Sequence, residues 1–442
     1  MRKKNNSASN KQFFYKNNLL PDWVKVPSKK ERKKHAIETL KKYWPFETDK
    51  RIVKSLKISH KDFIQISLPL KMIPIEMPDF APGVGNENFF FVPSDALDFE
   101  NNKNLNWEKV DWWLVIFLLL ECSHERVWEY KFGSIHSYSS QLKNWDSVVW
   151  DYAWVNRIAI FIRFWALNKN IESNHEFPIN GEIRITHDLD ALEKTIPIII
   201  KQSLLSFFNV LRAIFLGKYK IACNKLSLLF KFLFLKDNWN TFPEIIKKEK
   251  NLKIRPIVNI HARNNIRDPV TWLLDPSYKI KNKKVISLLN ELILNNWEIG
   301  LHPGFFSFEN HRMMLREKIK VENLLSIKIN FVRQHWLRFS WERTWNCQAK
   351  AGLFNDSTLM FNDRSGFRNA AAISFSSFYS PKEHFSITTS YMDSHINNEV
   401  ETILSEVKKV RGDTYILFHS HTLTKIYGWK SSWEKCLSLI AN

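Results

Sequence analysis

The residues of this chain that can do chemistry fall at the ends of short apolar runs. The first run closes as ITHDLD at 185–190, with two carboxylates two residues apart. On an extended strand, residues i and i+2 share a face. Asp188 and Asp190 therefore point the same way and could converge on one metal ion or one proton transfer. The run EIGLHPG at 298–304 ends at His302 and turns at once through Pro-Gly. That presents an imidazole at a loop mouth, a sound position for a metal ligand. In VRQHWLRF at 332–339, Arg333 and Arg338 offer forked donors for a carboxylate or an anionic sugar group. Trp336 offers a flat face for a sugar ring, and His335 is a further candidate ligand. ILFHSH at 416–421 ends in two histidines, and a reference pKa near neutrality suits either His419 or His421 to act as a general acid. By themselves, NDSTL at 355–359 and SGFR at 365–368 read as a turn and an ordinary strand. Each motif alone also fits a structural role, since carboxylates end strands and histidines precede turns.

These residues need a scaffold that gathers strand ends. From about 181 onward, apolar, strand-like runs recur at 181–188, 254–261, 297–302, 329–335, 357–361, 385–393 and 414–419. Helix-like stretches lie between several of them, at 285–296, 311–327 and 398–410. Alternating strands and helices predict an α/β fold with a parallel sheet or barrel. Chemistry in such barrels collects at the C-terminal ends of the strands. Those ends carry Asp188, Asp190, His261, His302, His335, Asp393 and His419. One block, 196–236, breaks the alternation with seven basic residues, no acidic one and long apolar stretches. It reads either as a helical insertion packed on the barrel or as a basic amphipathic pair lying on an anionic membrane. Lys201 and Arg212 interrupt it as a spanning helix.

The 442 residues suggest two or three domains. We divide them into an N-terminal domain at 1–178, α+β or mostly helical, and a barrel at 179–442. Residues 1–20 are expected to be a disordered tail. With 44% apolar and 25% charged residues, the chain is neither disordered nor fibrous. The net charge of +20 favours acidic partners without choosing among them. No zinc-finger spacing, RNA-binding motif or phosphate loop is present, so a nucleic-acid partner is not expected. The four cysteines are far apart, which argues against a disulfide framework and for a reducing compartment. The basic N-terminus is not followed by an apolar stretch, so the expected location is cytoplasmic, at the inner membrane surface if the 196–236 block attaches there.

Taken in order, THDLD, EIGLHP, RQHWLRF, DSTL with GFR, and LFH resemble the polysaccharide deacetylase family. That family is carbohydrate esterase family 4, with the NodB-homology fold, and the likeness is to a divergent bacterial branch associated with surface polysaccharide. The resemblance covers roughly 181–442 and extends more weakly over 78–167. It implies a distorted (β/α)7-type barrel, here with a helical insertion at 196–240. It also implies a divalent metal, usually zinc, and removal of an acetyl group from an N-acetylated sugar of a surface polysaccharide or its precursor. By this resemblance Asp188 matches the base, and Asp190 the metal-binding carboxylate, with Leu189 as an extra residue between them. His302 matches the first metal histidine, Arg333 the arginine that orients the base, and His419 the histidine that protonates the leaving amine. Asp356 and Arg368 lie in the fourth motif and, with Trp336, fall on the substrate side. The family's second metal histidine comes four residues after the first, where this chain has Phe306. His335, standing where proline is usual, takes that ligand role in our reading; His187 and His311 are poorer candidates. The departure leaves a second reading open, a catalytically silent barrel that binds carbohydrate or assists assembly.

Overall fold

Four short strands open the chain in the computed structural model, which describes residues 12–97, 106–168, 181–215, 217, 219–252, 254–262, 268–394 and 397–441. β1 (Phe13–Lys16) pairs antiparallel with β2 (Gln65–Leu68), and β3 (Met72–Glu76) with β4 (Phe89–Pro93). The strand at Phe13–Lys16 corrects the expectation of a disordered tail through residue 20; residues 1–11 lie outside the described ones. Helix Trp112–Leu120 is apolar at every position and buried at every position, as a helix without a polar face must be. Asp111 caps its start by accepting from the Leu114 N–H, and pairs with Arg32 at 2.7 Å.

The remaining strands form one sheet. They are β5 (Ile183–Leu189), β6 (Ile257–Ile260), β7 (Glu298–Leu301), β8 (Phe331–Val332), β9 (Asn355–Asp356), β10 (Phe385–Ser386), β11 (Thr389–Met392) and β12 (Thr414–His419). Their order is β10-β9-β8-β7-β6-β5-β12-β11, and every pairing is parallel. Runs such as ILF in β12 are buried on both faces, the pattern of a parallel sheet covered on both sides. Only Ile387 and Thr388 separate β10 from β11, so the two ends of the sheet are one stretch of chain. The Ile387 N–H donates to the Asp356 carbonyl at 3.0 Å, and the Tyr415 N–H to the Thr388 carbonyl at 3.3 Å. The sheet thus closes on itself as seven staves, the distorted α/β barrel expected from the sequence.

Individual strands depart from expectation. The run expected at 357–361 is displaced to Asn355–Asp356, just before it, and the one at 329–335 pairs only at Phe331 and Val332. Residues beyond those points leave the ladder to build the loops around the site. The expected helices appear as Lys283–Leu294, His311–Leu325 and Asn397–Lys409, and the insertion as helices Ile196–Phe215 and Tyr219–Phe234.

The boundary drawn at 178/179 lies outside the described residues. On either side of it the buried apolar residues belong to one continuous core. Buried polar links join the halves. Arg157 pairs with Glu406 at 2.6 Å and Arg368 with Glu125 at 2.8 Å. The Asn156 amide exchanges two 2.8 Å hydrogen bonds with the backbone of Ala372.

Candidate metal centre

Three donors meet at the C-terminal end of the barrel. Asp190 follows β5, His302 follows β7, and His335 lies in the loop after β8. Their ligand atoms all lie within 4.8 Å of one another. Asp190 Oδ1 is 3.5 Å from His302 Nε2 and 3.9 Å from His335 Nε2. The second donor of each ring is already committed. His302 Nδ1–H donates to the Arg333 carbonyl at 2.7 Å, and His335 Nδ1–H to Asp275 Oδ1 at 3.2 Å. Such partners fix the tautomer and turn Nε2 toward a metal. Burial holds His302 below its ordinary pKa against the pull of Asp188, so its ring is neutral with a free lone pair.

Burial by itself would raise the pKa of Asp190, but the charged imidazole of His419 brings it below the usual range. Its Oδ1 is buried and has no hydrogen-bond partner. A charged oxygen without a partner facing two imidazole nitrogens is costly unless something positive sits there. One carboxylate oxygen and two imidazole nitrogens are a donor set for zinc or a similar divalent cation.

Asp188 lies at the end of β5 beside this cluster. Its Oδ1 accepts from Asn259 Nδ2 at 2.8 Å and from Arg333 Nη1 at 3.1 Å, and its Oδ2 is 3.8 Å from His302 Nε2. Burial works to raise its pKa, but the Arg333 guanidinium, followed by His302 and His419, outweighs that and holds it at about 2. Asn259, on β6, is flanked by Asp188 on β5 and by Gly300 on β7. A Cβ on Gly300 would sit 2.2 Å from Asn259 Oδ1, so glycine leaves the room that the Asn259 side chain occupies beside Asp188. Arg333 is fully buried and is held by Thr186, Thr389 and the Ser357 carbonyl.

His419, at the end of β12, donates from Nδ1 to Asp393 Oδ1 at 3.0 Å, with Nε2 3.7 Å from Asp190 Oδ2. Burial would lower its pKa; Asp393, then Asp190 and Asp188, raise it to about 10 and keep the ring charged. These groups line a cavity of about 390 Å³, with Trp336 and Trp429 on its wall. His421 also lines it, but burial and the charge of His419 push its pKa down to about 4. Of the two, His419 at the end of β12 is therefore the one able to donate a proton.

Other expected residues lie elsewhere. Asp356 is buried away from the cavity and accepts from Trp345, Gln348 and Thr358; its carboxylate pins a helix to the barrel. Arg368 is likewise buried, bound to Glu125 and to the His136 and Met360 carbonyls. The substrate role assigned to Asp356 and Arg368 is corrected to a structural one. The Arg338 guanidinium, read as an anion-binding fork, sits over the rings of Phe305 and Phe308. His187 pairs with Glu249 at 2.9 Å, and Phe306 is exposed. The sequence analysis missed Asp275, which orients His335 and caps the loop by accepting from the Phe305 N–H at 2.7 Å. The available signal was an acidic residue closing the apolar run WLL just before Pro276.

No family model matches the chain, and no curated protein does. Solved structures are similar to it over part of its length. A putative polysaccharide deacetylase from Mycobacterium smegmatis is 12% identical, with a TM-score of 0.34 over 60% of this chain and 85% of that one. The chitin deacetylase of the fungal pathogen Colletotrichum lindemuthianum is 10% identical, with a TM-score of 0.30 over 59% of this chain and 82% of that one. A mutant CE4 family pseudoenzyme with restored enzymatic activity is 9% identical, with a TM-score of 0.27 over 59% of this chain and 63% of that one.

Proposed function

We propose that this protein is a metal-dependent hydrolase that removes an acetyl group from an N-acetylated sugar of a surface polysaccharide or its precursor. The observation that carries this is the cluster of Asp190, His302 and His335, with an ionised Asp188 and a charged His419 beside it. A divalent cation held by these three donors, zinc by preference, would bring the pKa of a water toward about 7 and polarise an acyl carbonyl.

The side chains have complementary tasks. Arg333 and Asn259 occupy Asp188 Oδ1, which leaves Oδ2 to accept a proton from the attacking water. Arg333 touches no substrate and is a positioning residue. His419 holds its proton on Nε2, because Nδ1–H is engaged by Asp393, and delivers it to the departing nitrogen. Trp336 stands half-exposed on the cavity wall, where its ring can lie against a sugar.

Phe306 favours a second reading, a silent barrel that binds sugar, because it supplies no ligand four residues after His302. Metal analysis separates the two. Wild type should retain about one zinc per chain, as a single catalytic site does. His302→Ala and His335→Ala should each lose it, and Asp188→Asn should keep metal while losing acetate release. Wild type that stays metal-free after zinc is supplied supports the silent reading.

A further inference from the structure

The insertion after β5 forms a helical hairpin, Ile196–Phe215 and Tyr219–Phe234, turning at Gly217 with φ of 67°. Its internal core is small: Val210, Ala213 and Ala222. The first helix exposes Ile200, Leu204, Phe207, Phe208, Leu211 and Phe215, spaced to form one continuous stripe. Phe208 is 63% exposed and Phe215 86%. The second helix exposes Tyr219, Leu226, Phe230 and Phe234, the last at 76%. Soluble surfaces do not normally leave so much contiguous apolar area uncovered. The block from 196 to 236 carries seven basic residues and no acidic one. Arg212, Lys220, Lys225 and Lys231 are all exposed on it. This combination suits an anionic lipid surface and disfavours a second copy of an equally basic hairpin.

By length and composition Ile196–Phe215 could cross a membrane. Its base is instead tied to the barrel, where Lys201 donates to the Asp275 carbonyl at 2.9 Å. At the same base, where the second helix ends, Lys194 donates to the Phe232, Leu233 and Leu235 carbonyls. The hairpin also reaches the active site. Ile198, Lys201, Gln202 and Leu205 form part of the wall of the cavity that holds Asp190 and His302. A second hollow of about 200 Å³, lined by Ser206, Asn209 and Lys225 among others, lies between the helices. It shares Gln202 and Tyr427 with the catalytic cavity.

We propose that this hairpin docks the protein on an anionic bilayer and opens the catalytic cleft onto it, so that the substrate is a sugar carried on a membrane lipid. The substrate half rests on the deacetylase reading above; the docking half stands without it. The hollow between the helices gives the lipid a route from bilayer to cavity, and Lys225 places a positive charge beside it.

Flotation of the full chain with vesicles tests docking. Binding to phosphatidylcholine mixed with phosphatidylglycerol should exceed binding to phosphatidylcholine alone by about tenfold. Phe207→Asp with Phe208→Asp should weaken it by about tenfold or more while zinc content stays unchanged. Lys220→Glu with Lys225→Glu should weaken binding to the mixed vesicles only. Acetate release from a long-chain alkyl glycoside of N-acetylglucosamine embedded in mixed vesicles is then compared with release from the free sugar. Wild type should prefer the embedded form, and the double Phe variant should lose that preference at an unchanged free-sugar rate. No flotation, or a dimer that the double Phe variant splits, overturns docking. Flotation with equal rates on both sugars overturns the lipid-linked substrate. Flotation with no acetate from either sugar overturns the deacetylase reading and the substrate half with it, and leaves docking standing.

Discussion

Replacing Asp275 should weaken metal binding although Asp275 is not itself a ligand. Its Oδ1 receives both the His335 Nδ1–H at 3.2 Å and the Phe305 N–H at 2.7 Å. Burial works to raise the Asp275 pKa, but the hydrogen bond from His335 holds it below the usual range, so it is ionised at neutral pH. Asp275→Ala removes the acceptor that keeps the Nδ1 tautomer, and His335 Nε2 is then free to carry the proton and stop being a donor. Loss of such an orienting partner typically costs about 10–100-fold in metal affinity, or about 1.4–2.8 kcal/mol. Asp275→Asn keeps an acceptor of the same shape and loses only the charge, so it should fall at the low end of that range. Zinc titration against a competing chelator measures both variants beside His335→Ala, which should bind weakest. Wild-type affinity in Asp275→Ala would refute the argument that His335 is a ligand oriented from behind.

Gly300→Ala places a Cβ against Asn259 and should break its bond to Asp188. A hydrogen bond to a charged group is worth about 1.5–3 kcal/mol, so acetate release should drop by roughly tenfold or more with zinc content intact. Arg157→Met and Arg368→Met each leave a buried carboxylate unpaired, Glu406 or Glu125. Each should lower stability by about 3–5 kcal/mol in urea unfolding, with the metal site unchanged in the folded fraction. Burial, then the charge of Arg338, pushes His136 down to about 4 from its ordinary 6.5. The unfolded state therefore takes up a proton near pH 6.5 that the folded state refuses until about pH 4. Stability should fall as pH drops through that window, and His136→Asn should flatten that part of the pH–stability curve.

The barrel and the cluster of donors were legible because both follow from strand ends. A carboxylate or histidine that closes a buried run has to emerge at the C-terminal rim, whatever the exact strand length. Asp190, His302 and His335 meet there for that reason. The roles given to Asp356 and Arg368 could not be tested the same way. Their motif strings look functional, but Trp345, Gln348 and Glu125, which engage them, are distant in sequence or carry no marker of the contact. Asp275 was hidden for the opposite reason: its partner His335 lies sixty residues away, on a different loop. Strand limits were over-read at β8 and β9, where apolar runs continue past the point at which the ladder stops.

The barrel's ladders are unequal. β5 meets β12 over six residue pairs and β6 over four, whereas β8 meets β9, and β9 meets β10, over two each. The long ladders lead to Asp188, Asp190 and His419, whereas the short ones hold the structural Asp356 and lead to Arg333 and His335. Amide exchange should therefore be slowest in the half that sets proton-transfer distances and faster around Asn355 to Ser386. On the proposed function, a bulky substrate would then displace the thinly stitched side of the wall before it changed the spacing between Asp188 and His419.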